Sequence, residues 1–212
     1  MTHRRRASGN RWRHRLLLFQ DRGVRAAAEF LEHDGVRLRR WRVDDVDAVL
    51  RVVSESLDHL APWMPWAANG YGRADAAAFV ERSQADWRAG TAYNYAIIAP
   101  DDIAPDDTAP DDTVVGSCGL MARIGAGGLE IGYWLHPCYT GRGIVTRAVK
   151  ALIEEAFQVG ADRVEIVHDA ANERSGAVPR RLGFVEIARR RPPQEPVTSG
   201  EAGEDVIWQL VR

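Results

Sequence analysis

The run Thr140-Gly141-Arg142-Gly143-Ile144-Val145-Thr146 sets two glycines around an arginine, between an alternating apolar stretch and a strongly periodic one. Residues in that order build a turn whose backbone amides converge on one anionic group. Glycine lets a ligand approach the backbone with no Cβ in the way. A helix that starts there adds unpaired N–H groups and the positive end of its dipole. Gly141, Arg142, Gly143, Ile144, Val145 and Thr146 are therefore candidates for holding phosphate, and a phosphate-bearing cofactor is the first implication of the chain.

The elements that must position this turn are legible on either side. Residues 129–135 (LEIGYWL) read as a strand. After the turn, Val145, Ala148, Val149, Leu152, Ile153, Ala156 and Phe157 recur at helical spacing on one face. Gly160 then ends the helix. Residues 163–168 (RVEIVH) alternate like a strand, so the whole is a β-loop-α-β unit, with a right-handed crossover if its strands are parallel neighbours.

Three cofactor classes use such a turn. A nucleoside-triphosphate loop requires Gly-Lys-Ser/Thr ahead of the helix, and that signature is missing. A dinucleotide fingerprint requires a third glycine where Thr146 stands, so the match through Gly141, Gly143 and Asp169 is partial. The third class is coenzyme A. The run "EIGYWLHPCYTGRGIVTRAV", followed after the next strand by "NERSGAVPRRLGF", resembles the GNAT superfamily of acyl-CoA-dependent N-acetyltransferases, and within it the ribosomal-protein-alanine N-acetyltransferase branch. The likeness extends to "GVRLRRWRVDDVDAVL", "HLAPWMPW" and "DWRAGTAYNYAII" and so covers residues 35–212.

The resemblance implies an α/β fold with a mixed, mostly antiparallel central sheet flanked by helices and splayed between its two central parallel strands. It implies acetyl-CoA as co-substrate, no metal, and direct attack by a primary amine, either a protein N-terminus or a small molecule. Two departures stand out. The family's loop commonly carries Gln or Arg at Thr140 and a small residue at Val145. Many members place a proton-donating tyrosine where this chain has Pro179, which has no proton to give.

Acyl transfer from a thioester to an amine needs an unprotonated amine, a polarised carbonyl and a proton for the departing thiolate. Glu130 opens an otherwise apolar strand, where burial would tune it toward a base; in similar enzymes a glutamate here works through a water. The plain alternative is a strand-end carboxylate paired with an arginine such as Arg123. For the carbonyl, the resemblance implies a backbone N–H near Trp134 or Leu135, in a stretch that pairs with the pantetheine arm like an added strand. Ser175 aligns with a serine that serves as general acid, and Asn172 with an asparagine that contacts the coenzyme. Both are also ordinary helix N-terminal residues, and Pro179 suggests a helix start nearby. His59, Trp63, Trp66 and Tyr71 fall in a loop that lines the acceptor cleft in similar proteins; the two tryptophans equally suit packing of that loop on the core.

The remaining sequence frames these residues. The chain has 212 residues, enough for one domain with a full core, and a net charge of −2, which gives no global attraction to nucleic acid or anionic membrane. Eight arginines against a single Asp21 make residues 1–25 distinct from the body. Residues 1–34 read as a basic, poorly ordered extension and 35–212 as the acetyltransferase-like domain. The basic arm could contact RNA or a ribosome, although a solvated tail is the simpler reading. No apolar run approaches the roughly 18 residues of a membrane span, and the expected location is cytoplasmic. Cys118 and Cys138 form neither a metal pattern nor a disulfide framework. Further elements are a strand over 36–42, helices over 44–57 and 74–88, and a hairpin of 93–98 with 114–123. The hairpin is joined by the repeat APDDI-APDDT-APDDT, read as a solvated tip in which nothing fixes metal geometry. A short helix and strands near 183–189 and 206–211 complete the chain. The alternative to an enzyme is a non-catalytic acyl-CoA-binding or ribosome-associated module, favoured if Glu130 and Ser175 prove remote from the thioester.

Overall fold

The computed structural model describes residues 25–99 and 112–212. One sheet of eight strands runs through it in the order β1-β2-β3-β4-β5-β6-β8-β7. The strands are β1 (Phe30–His33), β2 (Val36–Arg40), β3 (Ala92–Ile98), β4 (Val114–Met121), β5 (Gly128–Leu135), β6 (Arg163–Asp169), β7 (Val185–Arg190) and β8 (Asp205–Val211). The helices are α1 (Val46–Ser54), α2 (Leu57–Leu60), α3 (Arg73–Ala89), α4 (Ile144–Gln158) and α5 (Glu173–Arg181). All neighbours pair antiparallel except β5 and β6, which are parallel. The expected mixed, mostly antiparallel α/β architecture is what the chain adopts.

The parallel ladder is short. It joins Gly128, Leu129 and Glu130 to Arg163, Val164 and Glu165 and goes no further, although both strands continue. Beyond Glu130 the two strands part, which leaves a gap in the middle of the sheet at the C-terminal ends of β5 and β6.

Alternation along the strands divides the core between the two faces. On one face, Leu129, Ile131, Tyr95, Ile97, Val164 and Ile166 pack with Ala148, Val149 and Leu152 of α4. On the other, Ala96 and Ile98 pack with Trp41 and with Val49, Val52 and Val53 of α1 and Val80 of α3. Full burial of a residue such as Leu152 contributes about 2 kcal/mol relative to leaving it in water.

Three local readings change. Residues 30–33, placed in the extension, form β1 and pair with β2. Just upstream, the Ala28 N–H donates to buried Glu155 of α4 at 2.6 Å. The folded body therefore begins before Gly35, and residues 1–24 lie outside the described residues. The helix expected over 44–57 is two helices, α1 and α2. Pro179 does not mark a helix start: α5 begins at Glu173, and the proline lies inside it. The aspartate repeat, read as a solvated tip, falls mostly (100–111) outside the described residues; its last aspartate is exposed and ion-paired. Asp112 accepts from Arg39 at 2.8 and 3.0 Å and from Arg42 at 3.1 Å.

Candidate active site

The phosphate turn lies where β5 ends. A short 3-10 turn, Pro137–Tyr139, leads into it, and α4 leads out. Gly141 and Gly143 both adopt the left-handed region, at φ +77° and +75°, and a Cβ on either would meet nothing within 4 Å. The requirement for glycine is therefore conformational first: most side chains are strained at that φ. Gly143 is the N-cap of α4 and offers no side-chain acceptor to the first helical turn. The Thr140 hydroxyl is spent on Pro137 O at 2.8 Å. The amides of Ile144, Val145 and Thr146 therefore lack a side-chain cap, as an anion site at a helix start requires. Ile144 is 1% exposed and Leu135 5%, so their side chains belong to the core and only their backbones can serve a ligand. Arg147, absent from the expected set, donates to Asp34 O at 2.8 Å and ties the start of α4 to the β1–β2 turn.

A cavity of about 700 Å³ opens at the gap between β5 and β6. Because β5 alternates, its residues enter from opposite faces: Glu130 and Trp134 from the α1–α3 side, Tyr133 from the α4–α5 side. Ser175 and Asn172 of α5 line the cavity as well. Two carboxyl or hydroxyl side chains from opposite faces can share one cavity only because the sheet is open between them.

Glu130 is both buried and paired. It is 5% exposed, and Arg123 donates directly to its Oε1. Arg123 also reaches Glu195 at 3.3 Å, and the hydrogen bond to Glu130 raises the guanidinium pKa above its ordinary value. Asn172 caps α5, its Oδ1 accepting from Ser175 N at 3.1 Å, which leaves its NH2 group for another partner. The Ser175 Oγ lies 3.2 Å from the Tyr133 hydroxyl.

Of the two expected backbone donors, Trp134 and Leu135, one faces away from the gap. The His136 N–H donates to Val115 O at 2.8 Å. Antiparallel alternation then points the Trp134 N–H toward β4 as well, and leaves those of Tyr133 and Leu135 on the β6 side, facing the gap. Leu135 remains a candidate for polarising a carbonyl; the Trp134 amide does not.

Trp63, Trp66 and Tyr71 line the same cavity, with Trp66 set 5.6 Å from Tyr71 and 6.1 Å from Trp134, ring centre to ring centre. Burial pushes the Tyr71 phenol up to about 12, so it stays neutral. His59 does not line the cavity. Its pKa is lowered by burial and then by the charges of Arg174 and His136.

No local pattern announces the segment that covers the cavity. Residues 191–204, read as a Pro/Gly-rich loop, return to the cavity because Asp169 holds them. Its carboxylate accepts from the backbone N–H groups of Ala171 (2.8 Å), Ala202 (2.8 Å), Gly203 (2.9 Å) and Glu204 (3.1 Å). Burial opposes that charge, but the four bonds outweigh it and the pKa is lowered. The Gly200 N–H donates to Pro62 O at 3.0 Å, and a Cβ there would lie 2.7 Å from the same oxygen. The loop thus brings Gln194, Glu195 and Glu201 to the cavity.

His168, also in the lining, is not free to act as a base. Its Nδ1–H donates to Asp169 O at 2.7 Å and its Nε2 accepts from the Trp208 indole at 3.0 Å. Gly176 packs on the ring so closely that a Cβ would sit 2.6 Å from it. The imidazole is a neutral strut under α5. Cys118 is buried, with its thiol pKa raised by burial, and exposed Cys138 is not part of the lining. Among the described residues no cluster of three metal-ligating groups occurs, and no helix is long and apolar enough to cross a membrane.

Comparison with known proteins identifies the fold and the family. YdaF of Bacillus subtilis (strain 168), whose name carries a provisional ribosomal N-acetyltransferase assignment, is 44% identical over 63 residues, which is 29% of this chain. The match spans about a third (34%) of YdaF. Among solved structures, the microcin C7 self-immunity acetyltransferase MccE, in complex with acetyl-CoA and AMP, superposes with a TM-score of 0.71 at 22% identity, over 84% of this chain and 93% of that one. RimJ of Mycobacterium smegmatis, in complex with CoA-disulfide, does so with a TM-score of 0.69 at 24% identity, over 86% of this chain and 85% of that one. These likenesses establish the shared fold. The family model of the acetyltransferase (GNAT) domain matches residues 36–185, from β2 through the phosphate turn to the start of β7, and the chain belongs to that family.

Proposed function

We propose that the protein transfers an acetyl group from acetyl-CoA to a primary amine by direct attack, with a protein N-terminus as the favoured acceptor. The observation that carries this reading is the early end of the β5–β6 ladder, which lets Glu130 from one face and Ser175 from the other line one cavity. That juxtaposition is the one a non-catalytic binding module does not need.

In this reading the turn 140–146 and the start of α4 hold the coenzyme's phosphates. The pantetheine arm runs along the unpaired edge of β5, and Asn172 offers its NH2 group to it. The N–H of Leu135 or Tyr133 polarises the thioester carbonyl as it gains negative charge. Glu130, through a water, takes the proton released by the amine, while Arg123 holds the carboxylate in place. Ser175 protonates the leaving thiolate.

The acceptor enters from the α1–α3 side, between the Trp63–Tyr71 loop and the roof 191–204. Aromatic faces at Trp63, Trp66 and Tyr71 and carboxylates at Asp75, Glu195 and Glu201 suit an ammonium-bearing partner that loses its proton only on arrival. YdaF, by its name, points to the same acceptor class. The cytoplasm, which supplies acetyl-CoA and keeps Cys118 and Cys138 reduced, is the proposed compartment.

Calorimetric titration with acetyl-CoA, desulfo-CoA and NAD(H), followed by thiol release with a panel of amines, tests the proposal. It expects selective binding of the coenzyme A pair and release on an N-terminal peptide. Binding without release on any amine would leave a sensor or scaffold, and preference for NAD(H) would overturn the cofactor assignment.

A further inference from the structure

Pro179 has no N–H, so the carbonyl four residues earlier in α5, that of Ser175, loses its helical donor. A partly buried carbonyl without a donor is costly, and here the partner comes from across the gap. The Tyr133 hydroxyl donates to Ser175 O at 3.0 Å while lying 3.2 Å from Ser175 Oγ. A phenol carries one proton. When it is given to the carbonyl, the phenol oxygen is left as an acceptor for the serine hydroxyl, and rotation about a single C–O bond turns the same proton toward Oγ.

We propose that Tyr133 is the proton source behind Ser175, a relay residue that acts on the leaving thiolate through the serine. The inference rests on the assignment of Ser175 as acid. As the C–S bond breaks, the Ser175 Oγ–H proton passes to sulfur and the Tyr133 Oη–H proton passes to Oγ, so charge comes to rest on the phenolate rather than on a serine alkoxide. The proton that the amine nitrogen releases as the amide forms returns to Tyr133 through Glu130 and solvent, and the cycle closes with amide, free thiol and unchanged enzyme. Burial pushes the Tyr133 phenol up to about 12, partly offset by its hydrogen bond to Ser175, which keeps it protonated at rest. Phenolate is still the easier anion to form than a serine alkoxide. Both residues line the cavity that is proposed to receive the thioester.

Tyr133 also fills a structural vacancy, and the test must separate the two roles. Tyr133→Phe should lower kcat for acetyl-CoA and an N-terminal alanine peptide by about tenfold or more, with KM for acetyl-CoA little changed. In the Tyr133→Phe, Pro179→Ala double variant, position 179 regains a backbone N–H for the Ser175 carbonyl. A relay predicts that kcat stays low in it; recovery to wild-type kcat would reduce Tyr133 to a helix fastener. A readout independent of the acceptor is the ultraviolet titration of the thiol of bound CoA: Tyr133→Phe should raise its pKa by about one unit, and an unmoved pKa overturns the relay. Ser175→Ala separates the two assignments. Wild-type turnover in it removes the acid assignment itself, whereas a slow Ser175→Ala beside a fast Tyr133→Phe removes only the relay.

Discussion

The phosphate turn and the acceptor cavity are built in opposite ways. The turn is seven consecutive residues whose proposed work falls to backbone amides, held by two left-handed glycines and the start of one helix. The cavity is assembled from side chains of α1, α3, β4, β5, α5 and the loops around Trp63 and Glu195, far apart in sequence. A site made of backbone tolerates changed side chains, as at Thr140, but not changed dihedrals. A site made of side chains tolerates neither lost groups nor lost supports.

The sharpest way to break that contrast is Gly143→Asp, which adds negative charge and strain at φ +75° and should abolish acetyl-CoA binding in calorimetry. Because a Cβ there meets open space, Gly143→Asn should retain much more affinity, since asparagine tolerates the left-handed region. Equal loss in both would mean that bulk, not charge and backbone, governs the turn. On the cavity side, Ser175→Ala should lower kcat by about 10²-fold with coenzyme affinity intact. Glu130→Gln should follow at about tenfold or more in kcat, because it keeps a hydrogen bond for Arg123 but removes the base. Asp169→Ala tests the support rather than the chemistry. It strips four backbone N–H groups of their acceptor and should cost about 2–4 kcal/mol in denaturant unfolding, with a raised KM for the amine. Since the folded-state pKa of Asp169 is lowered, its stabilisation is complete above the ordinary carboxylate range and is lost as pH falls through the lowered value. Unfolding curves of wild type and variant should therefore converge in acid. The smallest effect belongs to His59→Ala, which lies outside the cavity lining and should leave kcat/KM within about twofold.

Legibility followed the same division. The α4 stripe from Val145 to Phe157, the alternation of β5 and β6 and the glycine turn are local patterns, and each forms within a residue or two of its expected bounds. Pro179 was misread because proline is expected in a first turn; the Tyr133 hydroxyl that replaces its missing donor comes from 42 positions away. Trp134 was offered as a backbone donor on its place in the strand, but which way its N–H points depends on the pairing of His136 with Val115. His59 shares a loop with Trp63 and Trp66, yet helix α2 carries it away from the cavity.

By itself, then, the amino-acid sequence determined the β5-turn-α4-β6 unit, the α4 core stripe and the glycine turn, because side-chain periodicity and glycine dihedrals act over a few residues. Only the tertiary structure decided that the β5–β6 ladder stops at Glu130, that Arg123 bridges Glu130 to Glu195, that Asp169 folds residues 191–204 over the cavity, and that Tyr133 meets Ser175. Each of those depends on strand register and on hydrogen bonds between distant segments, and a polar group buried by folding takes whichever partner the fold brings within reach.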